Sequence, residues 1–452
     1  MFEAIKNAFK VEDIRKRLFF TFLMLIVIRI GSQIPTPGVN PEFIQEFFEQ
    51  QRAMGSEAFN FFDAFTGGGF TRMSLFALSI TPYITASIIM QLLTIAIPKL
   101  EELQKEGEDG KKKIAAMTRY LTVGLALIES AAMAIGFGQG GLLHEFNASS
   151  IIVMTVTLTA GSAYLMWIGE RITEKGIGNG ISIVLTINIL STLPRDLVHL
   201  YNQFVANAST VALGVLAAVI ILLIIVLVFV FVVILQSGER RIAVQYSQRI
   251  QGRKTFGGQS THIPLKVNTS GVIPIIFASS LMQFPIVIVG FVRGAGEGPG
   301  GIGGEVLNFM NSGMWFNMQQ PIYTLGLIVY IFLTIFFAYF YTAITFNPME
   351  IANNMKKNGG FVAGIRPGKP TVEYLQNILN YIIFIGACGL VIVQVIPFFF
   401  NGVFQAQVSF GGTSLIIIIG VILDTIKQIE SKMMVRNYSG FLNNSGGGGN
   451  TF

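Results

Sequence analysis

Charge is what this sequence has least of. Asp, Glu, Lys and Arg together make up 12% of its 452 residues, against about 25% in an ordinary soluble domain. So few charges cannot cover a water-facing surface of this size, so much of that surface must meet an apolar medium. Cysteine is nearly absent. Cys388 stands alone in an apolar stretch, which excludes an intrachain disulfide framework and a thiolate metal site. His144, His199 and His262 lie far apart, so no His-based zinc site and no cofactor are expected. There is no Walker A run, no GxSxG and no HExxH, so no catalytic set is expected, and any energy for work must come from a partner. Gly176-Ile177-Gly178-Asn179-Gly180 has no strand before it and reads as a tight turn between helices.

What the chain has instead is long apolar runs. Hydrophobic residues make up 52% of it and its mean hydropathy is +0.61. The run 211–235 has no charge at all, and roughly 20 apolar residues suffice to cross the hydrocarbon core of a bilayer. Ten spans are expected, near 18–35, 75–97, 115–138, 150–169, 181–198, 211–236, 271–292, 320–344, 375–397 and 412–429. The fold class is an all-α integral membrane protein. The N-terminal stretch 1–17 is basic and amphipathic and is not expected to be a removable signal. The halves are expected at 18–200 and 201–436, with a flexible Gly-rich tail over 437–452.

Lys and Arg set the orientation. With the N-terminus cytoplasmic, 26 of the 31 Lys and Arg residues fall in cytoplasmic stretches, and only Arg52, Arg72, Arg195 and Arg293 fall outside; Arg29 lies in the first span. Both termini are therefore expected in the cytoplasm. The net charge of +6 follows from topology and from attraction to anionic lipid, not from nucleic-acid binding. Two cytoplasmic loops, 237–270 and 345–374, are longer than a hairpin connection needs. They are basic, and RRIAVQYSQRI alternates polar with apolar, so they are expected to project as hairpins and dock a cytosolic partner.

Two spans share a pattern. The second carries Pro82-Tyr83-Ile84-Thr85-Ala86-Ser87 and the seventh Pro274-Ile275-Ile276-Phe277-Ala278-Ser279, both P-x-I-x-A-S. Five spans apart, they run in opposite directions, as an inverted repeat around a central pathway requires. Their prolines and hydroxyls are expected to disturb the helix where it faces a cavity. Before the second span, EAFNFFDAFTGGGF at 57–70 is too short to cross. It fits either a re-entrant element on the outer side, hinged on Gly67, Gly68 and Gly69, or an amphipathic helix lying on the membrane surface. The spans read as almost free of charge, with Arg29 and Asp424 near their ends and Gln91, Asn179, Asn188 and Asn268 as hydrogen-bonding groups. That argues against an ion-coupled carrier, which needs a charge relay, and for a passive pore closed by apolar side chains. A lipid scramblase would need a hydrophilic groove open to lipid.

Longer blocks carry a resemblance over residues 1–440. RIGSQIPTPGVN (29–40), TPYITASIIMQLLT (81–94), GERRIAVQYSQRIQGRKTFGGQSTHIPLKVN (238–268), NPMEIANNMKKNGGFVAGIRPGKPT (347–371) and GGTSLIIIIGVILDTIKQIES (411–431) resemble the SecY/Sec61-alpha family, above all its bacterial members. The resemblance implies a protein-conducting channel in the bacterial plasma membrane. That channel has two inverted halves of five helices and passes preproteins bearing signal sequences. It implies a pore ring of Ile80, Ile84, Ile181, Leu185, Ile276 and Ile417. It also implies a plug over about 57–71, including Phe59, Asn60, Phe61, Phe62, Phe65 and the three glycines. A lateral gate would lie between spans two and three and spans seven and eight, with Pro82, Ser87, Gln91, Pro274, Ser279 and Phe284 on it. The docking surface for the SecA motor or the ribosome would use Arg240, Arg249, Arg253, Lys254, Lys356, Lys357 and Arg366. SecE- and SecG-type small subunits are the implied membrane partners, and ribosomal RNA the one implied nucleic acid.

Overall fold

The computed structural model describes residues 9, 11–40, 42–44, 46–47, 63–208, 210–246, 249–251, 254–256, 260–293, 302–316, 321–404 and 412–444. Ten long helices are present among them: Glu12–Gly31, Thr81–Ala96, Glu108–Phe137, Ala148–Lys175, Gly180–Leu200, Val211–Ser237, Ile273–Arg293, Thr324–Thr345, Lys369–Phe404 and Gly412–Asn444. They are numbered here as spans one to ten. By length and hydropathy alone seven helices qualify to cross a membrane, and the bent pair Thr81–Ala96 and Pro98–Lys105, turning by 102°, makes an eighth. Span one falls short because Arg15, Lys16, Arg17 and Arg29 lie on it, and the qualifying apolar stretch of span seven is only Ile273–Met282.

Packing settles the count at ten. In the first half, span one touches spans four and five, span two touches three, three touches four, and four touches five. In the second half, span six touches nine and ten, seven touches eight, eight touches nine, and nine touches ten. The two contact patterns are identical when each span is moved on by five, and five is odd, so the halves are inverted. They meet where span three packs on span seven and where span five packs on span ten. Outward faces carry exposed Phe19, Ile128, Val226, Phe332 and Ile385. An apolar surface this extensive belongs in lipid, and the chain is a multi-pass membrane protein.

Close approach is set by glycine. Spans four and five cross where a Cβ on Gly180 would lie 1.8 Å from the carbonyl oxygen of Gly169. No side chain can bend away from a backbone atom at that distance. Gly180→Ala is expected to destabilise the protein by about 1–3 kcal/mol through overpacking, seen as a lower unfolding temperature in detergent. Gly124, where a Cβ would meet nothing within 4 Å, is the control: Gly124→Ala should be neutral or stabilising, because alanine favours helix. Equal behaviour of the two variants would refute the account.

The two long loops form one body. β1 (Glu239–Tyr246) pairs antiparallel with β4 (Ser260–Lys266), from Glu239 opposite Lys266 to Gln245 opposite Ser260. The alternation read in the sequence appears as the buried pair Ile242 and Val244 between exposed neighbours. β2 (Arg249–Gln251) and β3 (Lys254–Phe256) make a smaller hairpin within the same loop. β5 (Gly360–Val362), from the second loop, adds to the free edge of β1. A small core of Ile242, Val244, Leu265, Ala352, Met355, Val362 and Leu375 fastens the sheet to the helix Pro348–Lys357 and the start of span nine.

Two expectations need correction. Pro82 and Pro274 do not disturb their helices: each is the second residue of its span, where the missing N–H has no intrahelical partner anyway. The proline inside span seven is Pro285. The stretch 437–444, expected as flexible tail, continues span ten as helix to Asn444.

Candidate functional site

The six residues nominated for a ring come from four separate places in the chain. Ile80 caps span two and Ile84 lies in its first turn. Ile181 and Leu185 lie at the start of span five, Ile276 in span seven and Ile417 in span ten. All six meet in one apolar cluster: Ile80, Leu185, Ile276 and Ile417 are buried within it, and Ile84 and Ile181 pack against it. Local structure explains how they converge. Asn179 accepts hydrogen bonds from the N–H groups of Ile181 and Ser182, at 3.1 and 3.3 Å, and so starts span five. The glycine turn before it is tied to span one, through Ile177 N–H to Thr21 Oγ1 at 3.2 Å, and to span ten, through Gly178 N–H to Gln428 Oε1 at 3.0 Å. Gly178 itself has φ +86°, a conformation that favours glycine.

Phe65 from the re-entrant segment enters the same cluster. Every residue from Asp63 to Phe70 is buried, so this stretch is re-entrant; a helix lying on the membrane surface would keep one face open. Phe59, Asn60, Phe61 and Phe62 lie outside the described residues. Gly67 and Gly68 turn the chain at φ +68° and +79°. A Cβ on Gly67 would come 2.7 Å from Arg29 Nη1 and 3.0 Å from Asn188 Cα, so glycine is required there by both conformation and space.

Polar groups hold this segment in place. Asn188, 2% exposed, donates from Nδ2 to the carbonyl oxygen of Phe65 and to Ser79 Oγ, both at 3.1 Å. Ser79 donates to the same Phe65 oxygen at 3.0 Å while its own backbone sits at φ +52°, strained for a residue with a side chain. Ser191 reaches the Gly67 oxygen at 3.3 Å, and the Arg29 guanidinium approaches it at 3.5 Å. Arg195 pairs with fully buried Asp63 at 3.1 Å. The sequence reading placed Arg195 in an outer loop and Asn188 between helices. In fact both lie on span five and face the segment. Asn188, Ser191 and Arg195 at i, i+3 and i+7 on an apolar helix is the signal that was available. Span three also carries Glu129, half-buried and with no hydrogen bond or ion pair among the described residues. A lone carboxylate is not a relay.

The nominated gate residues divide. Pro82 is buried and Ser87 and Gln91 half-buried on span two. Ser279 faces span eight instead, its hydroxyl 3.0 Å from that of Tyr330. Pro274 opens span seven, and Phe284 lies further along it. The seam between the halves is closed by span three against span seven.

On the loop body, Arg240, Lys356, Lys357 and Arg366 are exposed. Arg249 and Lys254 lie on β2 and β3, and Arg253 lies outside the described residues. Arg366 is displayed on a turn between Gly364 and Gly368, at φ +82° and +110°. Its carbonyl oxygen accepts from Thr371 Oγ1 at 2.9 Å.

A family model described as SecY matches residues 74–426. The protein translocase subunit SecY of Corynebacterium glutamicum is 41% identical over 97% of this chain and 99% of its own length. That of Halalkalibacterium halodurans is 43% identical over 98% and 100%. Among solved structures, "The structure of a protein conducting channel" aligns with a TM-score of 0.63 at 18% identity, over 93% of each chain. A SecY structure described as bearing a plug domain that stabilises the closed channel aligns at 0.61 and 19%, over 93% and 92%. Sec61 in a canine ribosome–channel complex aligns at 0.61 and 17%, over 93% of each. With one family matching most of its length and relatives about two-fifths identical from end to end, this chain belongs to the SecY family.

Proposed function

We propose that this chain is the protein-conducting channel of a bacterial secretory translocon, passing unfolded preproteins across the plasma membrane and releasing apolar segments sideways into lipid. The observation that carries the reading is the convergence of Ile80, Ile84, Ile181, Leu185, Ile276 and Ile417, from four places in the chain, on one cluster with Phe65. Bulky aliphatic side chains on rigid helices make a constriction that excludes water when closed and yields around a passing chain. The segment expected at 57–71 is the plug, and its described part places Phe65 in the cluster. The seam between spans three and seven is the exit to lipid, with Pro274, Ser279 and Phe284 on span seven and Pro82, Ser87 and Gln91 on span two, which packs against span three. A segment leaves there when its transfer into hydrocarbon outweighs its polar cost.

The channel does no chemistry, so the drive comes from partners on the cytoplasmic side. The loop body, with Arg240, Arg249, Arg253, Lys254, Lys356, Lys357 and Arg366, is the docking surface for a SecA-type motor or a ribosome. Basic side chains suit ribosomal RNA through phosphate attraction and a motor through charge complementarity. SecE- and SecG-type subunits cover part of the lipid-facing surface. The Lys and Arg distribution supports cytoplasmic termini.

Crosslinking tests the pathway. Photoreactive residues at 84 and 276 should both capture a preprotein stalled in transit, while one at lipid-facing Val226 should not. If neither position ever touches the chain, the pathway runs elsewhere.

A further inference from the structure

Spans five and ten are counterparts in the two inverted halves, and glycine fixes their register. A Cβ on Gly180, the first residue of span five, would lie 1.8 Å from the Gly169 carbonyl oxygen of span four. A Cβ on Gly412, the first residue of span ten, would lie 2.0 Å from the Val393 carbonyl oxygen of span nine. Counted from those glycines, Leu185 and Ile417 take the same position, and so do Arg195 and Lys427. Each of the latter two pairs with a carboxylate from the connection into the proline-led span of its own half. Arg195 meets Asp63 at 3.1 Å and Lys427 meets Glu239 at 3.4 Å. The second of these pairs lies at the base of the loop body, where β1 begins.

That base holds four charges in a closed circuit. Glu239 stands opposite Lys266 in the β1–β4 ladder. Lys266 reaches Asp424 at 3.3 Å, as Lys427 reaches Glu239. Asp424 and Lys427 lie three residues apart on span ten, close enough to attract. Every charge therefore has an opposite charge on either side. All four side chains meet solvent, from 27% exposed for Glu239 to 66% for Asp424. Exposed pairs are weak, so a pull on the loop body can part them. The same face of span ten runs on to the constriction. Ile417, Val421, Asp424 and Gln428, at i, i+4, i+7 and i+11, fall in one line. Gln428 accepts from the Gly178 N–H, in the turn that leads into Ile181 and Leu185. A cavity of about 430 Å³ lies between the start of span five and span ten, with Ser182, Val421, Thr425 and Ser431 in its lining. It gives span ten room to shift, which a close-packed interface would deny.

We propose that Glu239, Lys266, Asp424 and Lys427 form a clasp through which the loop body sets the constriction. Intact, the clasp holds span ten, and Ile417 with it, in the closed position. A motor docked on the loop body displaces the hairpin, parts the two ion pairs and lets span ten move. The proposal rests on the channel reading above and adds the route by which docking reaches the pore. The circuit can be broken without changing net charge. Glu239→Lys with Lys266→Glu swaps the hairpin charges, and Asp424→Lys with Lys427→Glu swaps those of span ten. Each double swap keeps the attraction within its own element and sets like charges against each other across the clasp. All four substitutions together restore opposite charges everywhere.

The test uses the full chain with its small membrane subunits, reconstituted in planar bilayers without preprotein. Ion conductance is read before and after a purified SecA-type motor is added with ATP. Either double swap should raise the resting open fraction about three- to tenfold, the upper figure corresponding to about 1.4 kcal/mol. The quadruple variant should return to the parent's level. The span-ten swap should bind the motor as the parent does, yet the motor should add less conductance, because the step it drives is already partly taken. Asp424→Asn with Lys427→Gln removes both pairs without repulsion. It should fall between the parent and the swaps, and it serves if a swap does not assemble. Parent-level resting conductance in both the span-ten swap and the neutral pair overturns the clasp, as does a quadruple variant as leaky as the doubles. Failure of the channel reading looks different: the parent itself then protects no preprotein.

Discussion

Arg366→Glu is expected to stop motor-driven translocation while leaving a folded, membrane-inserted channel. The side chain is exposed and makes no hydrogen bond or ion pair among the described residues. Its backbone oxygen anchors Thr371 at 2.9 Å, and the substitution keeps that bond. Gly364 and Gly368 supply the positive φ angles that turn the chain on either side of it, so position 366 carries no conformational burden. Stability should therefore change by no more than about 0.5 kcal/mol, as at other surface sites. A charge facing a complementary partner is another matter. Losing one side of a close interfacial pair costs about 2–5 kcal/mol, and reversing it adds repulsion, so preprotein protection in proteoliposomes should fall by at least about thirtyfold. Lys356→Glu, on the neighbouring helix Pro348–Lys357, should lose less if Arg366 is the centre of the contact. Normal translocation by Arg366→Glu would remove it from the docking surface.

How much of this was legible in the sequence depended on how far each signal reached. Helices declare themselves locally, and the uncharged run at 211–235 has no other reading. The inverted halves were glimpsed through the P-x-I-x-A-S pair, although its prolines proved to start helices and not to break them. Hairpin β1–β4 was visible as alternation, but its pairing with β5, more than a hundred residues away, left no local trace. The same holds at the plug. FFDAFTGGG reads as short, apolar and hinged, but nothing near Asp63 announces a partner at Arg195. Polar residues inside apolar helices speak as a set: Asn188, Ser191 and Arg195 share one helix face by their spacing, a signal that none of them carries singly. The basic residues proposed for docking were separable by charge, but only the fold brings the two loops into one body.

The second large effect is expected at the constriction, where size and polarity can be varied apart. Leu185 is the one ring candidate that is not isoleucine, and it is 5% exposed in the shared cluster. Leu185→Ile conserves volume and should cost less than about 1.5 kcal/mol, leaving the resting channel tight. Leu185→Asn has nearly the same length but carries an amide into a site walled by Ile80, Ile276 and Ile417. A buried amide without partners costs about 1–3 kcal/mol. The closed state bears that cost, because water in an opened channel satisfies the amide at once. The closed-to-open equilibrium should shift by about 5- to 150-fold. Ile276→Asn, from the opposite half of the molecule, should act in the same direction. Because both residues sit in one cluster, the pair should fall short of additive: once the first amide has admitted water, the second no longer enters a dry site. Resting conductance of the four channels checks this. Leu185→Asn as tight as Leu185→Ile would mean that the cluster is packing alone and that the seal lies elsewhere.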